Sequence, residues 1–198
     1  MGQHSVSFPG QGSADRIISI FSLLASPVLL ATSTFFWQQG EYSTTSATLL
    51  IGSLFFWLAA LKPLFSLTAG ILPAYSVWGY WVACLGCISG ICFAFLGYMA
   101  AVLNLDHHQY LAALNRYPFS SQLLLFATGP LFPLSIFFLG IQLLRYRLVP
   151  SGIAVLLIFG AIAFPLSRIP RIEWAAHLAD LLLLIPCWYC MAKFLMSN

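Results

Sequence analysis

Charge is what this chain has least of. Only 7% of its 198 residues are Asp, Glu, Lys or Arg, against about 25% in an ordinary soluble domain. Apolar residues make up 61%, and mean hydropathy is +0.92. So few charges cannot cover a soluble globule of this size, which would expose broad apolar patches and aggregate. A soluble enzyme and a disordered chain are therefore excluded. A nucleic-acid binder is excluded too, because the net charge is only +3 and the basic residues form no stripe that could track phosphates. The composition is that of an integral membrane protein, with the lipid bilayer as its first partner.

Other absences narrow the reading further. Five cysteines in so apolar a chain do not form a disulfide framework. The polar head Met1–Asp15 with Arg16 has the look of a signal-peptide n-region. Yet the apolar run Ile17–Trp37 exceeds the ~7–15 residues of an h-region, and no small-x-small cleavage site follows it. It reads as a first membrane span. Strand-like alternation over ~10 residues, the mark of a membrane barrel, is also missing.

What is present is a series of long apolar runs. Crossing a bilayer takes about 20 mostly apolar residues. Six stretches qualify: 17–37, 46–61 with a continuation toward 72, 77–103, 122–144, 151–167 and 172–195. Helices are the expected form, since lipid offers the backbone no hydrogen bonds. The expectation is an all-α polytopic transmembrane helix bundle of about six spans. Residues 1–16 form a polar cytoplasmic N-terminus, and residues 17–196 form one domain with a longer connection at 104–121. Within that connection 106–117 reads as a short interfacial helix with Tyr110, Leu114 and Tyr117 along one side. Trp37, Tyr75, Trp78, Trp81, Tyr146, Trp174, Trp188 and Tyr189 fit interfacial belts. Two inverted three-span halves are an alternative that the unmatched prolines argue against.

With an even span count both termini share a side. Arg16, Lys62, Arg145, Arg147 and Lys193 lie there, while Arg116, Arg168 and Arg171 lie on the other. The excess favours cytoplasmic termini in a cell membrane. The acids segregate as well. Glu41, Asp106, Glu173 and Asp180, with His107, His108 and His177, fall on the face opposite the termini.

Glu173, His177 and Asp180 are spaced i, i+4 and i+7, so they share one helix face. Asp180 lies roughly 10 Å into its helix, where an unpaired charge costs ~3 kcal/mol or more. Such residues fasten a bundle through a partner or line a polar pocket. Arg168 and Arg171 are near enough in the chain to be that partner. In the pocket reading Glu173, His177 and Asp180 are the catalytic candidates, and Asp106, His107, His108, Arg168 and Arg171 the ligand-binding ones. The two guanidiniums suit an anionic head group. His107, His108 and His177 with a carboxylate suit a first-row metal ion, and two of these histidines a haem. No His-Glu-x-x-His pattern strengthens that signal.

Two C-x-x-C pairs, Cys84/Cys87 and Cys187/Cys190, permit redox or metal chemistry. Packing explains them better. Gly79, Ala83, Gly86, Gly90, Ala94, Gly97 and Ala101 form a stripe of small residues that allows close helix contact in lipid, and Cys87 lies beside it.

The stretch GIQLLRYRLVPSGIAVLLIFGA carries Gly140, Leu143, Leu144, Arg147, Pro150 and Gly160. It resembles a family of small bacterial membrane proteins with about six spans and a domain of unknown function. The likeness covers the last third of the chain, and it implies the fold and no activity.

The leading functional expectation is a membrane protein that binds a small or lipid-like ligand in a polar pocket at one face. Three alternatives stand beside it. One is a structural or accessory subunit bound to a membrane-protein partner. Another is an intramembrane enzyme acting on a lipid or isoprenoid, with Asp180 or Glu173 as acid and His177 as base or metal ligand. The last is a proton-coupled transporter hinged at Gly129-Pro130 and Pro133.

Overall fold

A computed structural model describes residues 13–38, 40–105 and 107–196 of the chain, without the side chains of Ser13, His107 and His108. It is an all-α bundle. Helix α1 spans Ser13–Thr34, α2 Thr44–Ser66 and α3 Pro73–Val102. Between α1 and α2 a small hairpin pairs β1, Trp37–Gln38, with β2, Glu41–Tyr42. After α3 come the short helices α4, His107–Leu114, and α5, Pro118–Ser121, then a π-helical segment, Gln122–Ala127. The chain continues through α6, Leu131–Arg145, α7, Ser151–Arg168, and α8, Glu173–Met196. Among the described residues six helices are long and apolar enough to cross a membrane, the fourth running through Pro118–Arg145.

The six spans close into a ring. Helix α1 packs on α2, α2 on α3, α3 on α6, α6 on α7, α7 on α8, and α8 back on α1. Its interior is filled by Trp57, Phe132 and Phe164 from α2, α6 and α7. Their rings meet edge to face at 5.2 Å and 5.6 Å, a favoured aromatic geometry. Lipid offers helices little hydrophobic drive to associate, so close packing and interhelical hydrogen bonds hold them together. Ser53 Oγ on α2 donates to the Ser26 carbonyl on α1 at 2.7 Å, a buried bond of that kind.

The small-residue stripe of α3 does what its spacing predicts. A Cβ added at Gly79 would meet Phe65, at Gly90 Leu54, at Gly97 Tyr42, and at Gly86 the backbone of Phe132. Cys84, Cys87, Cys187 and Cys190 are buried and unbridged. The first pair lies on α3 and the second on α8, which are not neighbours in the ring.

The fourth span is broken where its sequence is. Pro130 and Pro133 have no N–H to give the preceding turn, so the helix widens and then stops at residues 128–130. The released carbonyls find side-chain donors. Ser89 Oγ on α3 reaches the Leu124 carbonyl at 2.7 Å, and Thr128 Oγ1 reaches the Leu123 carbonyl at 3.0 Å.

Several details differ from expectation. The first span ends at Thr34, and Trp37 is not an interfacial anchor: it sits in the hairpin, 8% exposed, against Tyr42. Gly40 closes that hairpin with φ 79°, a conformation glycine adopts without steric cost. The interfacial helix is shorter than 106–117. Tyr110 turns inward at 8% exposure while Tyr117 remains 72% exposed.

Candidate functional site

A buried group of polar residues meets where α1 and α7 end and α8 begins. Asp180 is 0% exposed. Its Oδ1 accepts from Arg168 Nη2 at 2.7 Å, and its Oδ2 accepts from Thr34 Oγ1 at 2.7 Å. Three helices are thereby tied to one carboxylate. The Arg168 guanidinium lies 4.3 Å above the Phe164 ring, a cation–π contact. Its Nη1 is buried with no hydrogen-bond partner among the described residues.

A second ion pair lies above the first. Helix α7 ends in a turn that brings Arg171 into the left-handed region, φ 58°, and the Ile172 N–H closes on the Ser167 carbonyl at 2.8 Å. From there Arg171 pairs with Glu41 of the hairpin, and its Nη2 donates to Tyr110 Oη of α4 at 2.8 Å. Arg171 thus joins the hairpin, the connection after α3 and the end of α7.

Two cavities adjoin these pairs. The larger, of about 1120 Å³, is a vestibule of mixed lining, walled by Glu41, Asn104 and Arg171 together with Phe93, Leu96 and Leu105, among others. The smaller, of about 460 Å³, is an apolar slot between α2, α3, α4, the π segment, α6 and α7. Leu54, Leu114, Phe126 and Phe132 line it, and Arg168 and Arg171 are its charged residues. Tyr42, Phe93, Tyr110 and Arg171 border both cavities.

The expected site residues are divided by this geometry. Arg168 and Arg171 are on cavity walls. Glu173, His177 and Asp180 line neither cavity, because that face of α8 turns toward α1. His177 packs against the Phe35 ring at 4.3 Å, with Glu173 4.0 Å away and largely exposed. Asp180 accepts two hydrogen bonds and lines neither of these two cavities, so they lend its expected acid role no support. The anionic head group expected at Arg168 and Arg171 meets two guanidiniums that each hold a carboxylate already. Asp106 lies outside the described residues, as do the side chains of His107 and His108. Among the described residues no three His, Cys, Asp or Glu side chains gather as a metal site requires.

Sequence reasoning overlooked Thr34, Tyr42 and the pairing of Glu41. A lone hydroxyl near the end of an apolar span was the available sign for Thr34. No spacing rule links Glu41 to a residue 130 positions later.

Burial raises the Tyr42 phenol above its usual pKa, although Arg168 and Arg171 pull it down; burial likewise raises Tyr110, against Arg171. A phenol whose folded pKa exceeds the unfolded one, about 10, stabilises the fold below that pH and stops doing so as the pH climbs through the folded value. In a tyrosinate absorbance titration, Tyr42→Phe is expected to delete a component that ionises above the ordinary range. Deletion of a component at the ordinary position would contradict the packing described here.

No family model matches the chain, and no curated protein and no solved structure was found to resemble it.

Proposed function

We propose that the protein holds a small or lipid-like ligand at one membrane face, its apolar part in the slot and its polar part toward the vestibule. One observation carries this reading: an apolar slot and a vestibule of mixed polar and apolar lining meet along Tyr42, Phe93, Tyr110 and Arg171. A slot of about 460 Å³ lies within the ~300–1,000 Å³ usual for small-molecule sites. Polar groups in it are few, among them Arg171 and Tyr110, which are bonded to each other, and a few fixed polar groups are how such sites orient a ligand.

The basic residues set the orientation of this reading. Arg16 caps the end of α8 through the Phe194 carbonyl at 2.9 Å, and Lys193 reaches the Leu148 carbonyl at 3.3 Å on the same side. That side carries the excess of Lys and Arg, so the termini are cytoplasmic and the cavities open on the outer face of the cell membrane.

Native mass spectrometry from mild detergent tests the reading. The wild-type chain is expected to retain a lipid-sized adduct. Leu114→Trp, which fills the slot from α4, should lose it, whereas Leu103→Trp, at a 57% exposed position outside both cavities, should keep it. Absence of any adduct, together with no stabilisation by added amphiphiles, would overturn the proposal.

A further inference from the structure

Arg168 has a donor to spare but no charge to spare. Its Nη2 is bound to Asp180, its Nη1 is buried without a hydrogen-bond partner among the described residues, and Arg168 is one of the residues that line the apolar slot. Its side chain is 9% exposed and that of Asp180 1% exposed. The second guanidinium near the slot, Arg171, is likewise matched by Glu41. Among the described residues, the site therefore contains two positive and two negative groups and is neutral as it stands. A buried charge without a counterpart is costly, whereas a buried donor needs only an acceptor oxygen. An anionic head group placed at Nη1 would bring one uncompensated negative charge into this environment. A neutral carbonyl would satisfy the same donor and leave the charges balanced.

We propose that the slot selects an uncharged apolar molecule bearing a carbonyl oxygen, and that Arg168 Nη1 is the donor that recognises it. This rests on the ligand-binding reading above and names the chemistry of its ligand. The carbonyl has two natural sources in a membrane, an ester lipid or a quinone, and both offer the acceptor that the donor requires. Phe164 beneath the guanidinium restricts it to a plane, so the donor is presented in a fixed direction.

The test uses the full chain in nanodiscs made of ether lipids, which contain no ester carbonyl. Decane, methyl decanoate, a decyl-substituted benzoquinone, decanoate and decyl phosphate are compared as probes of one chain length. Methyl decanoate or the quinone is expected to bind more tightly than decanoate or decyl phosphate, and which of the two wins identifies the source. The bound carbonyl stretch should shift to lower frequency, as hydrogen bonding to a guanidinium requires. Arg168→Lys keeps a cation beside Asp180 but removes the planar fork, and should weaken carbonyl binding about tenfold while leaving decane unchanged. The double variant Arg168→Met/Asp180→Leu keeps the site neutral and should lose the infrared shift as well. Tighter binding of decanoate or decyl phosphate would overturn the inference while the ligand-binding reading stands. An infrared band unaltered in Arg168→Lys would overturn it as well, assigning Nη1 to the Phe164 ring. Failure of every probe, decane included, would remove the ligand-binding reading itself.

Discussion

Asp180→Ala is expected to destabilise the protein by about 3–5 kcal/mol, the usual cost of stripping one partner from a buried ion pair. Its carboxylate is fully buried and engages Arg168 and Thr34 at 2.7 Å each. Alanine leaves the largely buried guanidinium without its anion. Asp180→Asn keeps the shape and an acceptor for Thr34 but removes the charge, so its loss should be intermediate. Arg168→Met/Asp180→Leu removes both charges and should recover most of the stability, since apolar replacement of a whole buried pair is often neutral. Thermal unfolding in detergent reads all three. His177→Ala should cost far less, because that ring is partly exposed and loses mainly its contact with Phe35. An Asp180→Ala chain as stable as the wild type would mean that the pair does not tie α1, α7 and α8 together.

Gly86→Leu is expected to prevent assembly of the ring, and even Gly86→Ala should reach the top of the ~1–3 kcal/mol range for overpacking or exceed it. A Cβ at Gly86 would lie 2.7 Å from the Phe132 Cα and closer still to its backbone nitrogen. Backbone cannot swing aside as a side chain can. Helix α6 would have to move away from α3, and Phe132 would lose its place against Trp57 and Phe164. Ser89, one turn further along α3, would lose its reach to the Leu124 carbonyl of the broken fourth span. Gly52→Ala is the control, since its Cβ would make only an ordinary contact with Leu29 at 3.7 Å. Yield of folded protein from membranes, followed by size-exclusion profile and thermal midpoint, distinguishes the two. Equal behaviour of Gly86→Ala and Gly52→Ala would contradict the close approach of α3 and α6.

The fold was more legible in the sequence than the site was. Each apolar run became a span, because a backbone in lipid must close its own hydrogen bonds and a helix does so within one segment. The break in the fourth span was visible as Gly129-Pro130 and Pro133, since proline removes donors wherever it stands. Helical spacing correctly put Glu173, His177 and Asp180 on one face of α8. What spacing could not supply was the object that face meets. It meets α1 and α7 rather than either cavity, and the walls of the two cavities come from the hairpin, α2, α3, α4, the π segment, α6 and α7. In the sequence Glu41 is a lone acid in a short connection, and its partner shows only once the hairpin and the end of α7 come together around Arg171.

The sequence by itself determined that this is a multi-span helical membrane protein, that α3 packs closely, and that a charge at Asp180 needs a partner. Those conclusions depend on local composition and helical period, which are fixed before any two helices meet. Only the tertiary structure decided that Arg168 is that partner, that each guanidinium already holds a carboxylate, and that an apolar slot adjoins a vestibule of mixed lining. Those depend on how the ring closes, and ring closure is set by contacts between residues far apart in the chain, for which no sequence period exists.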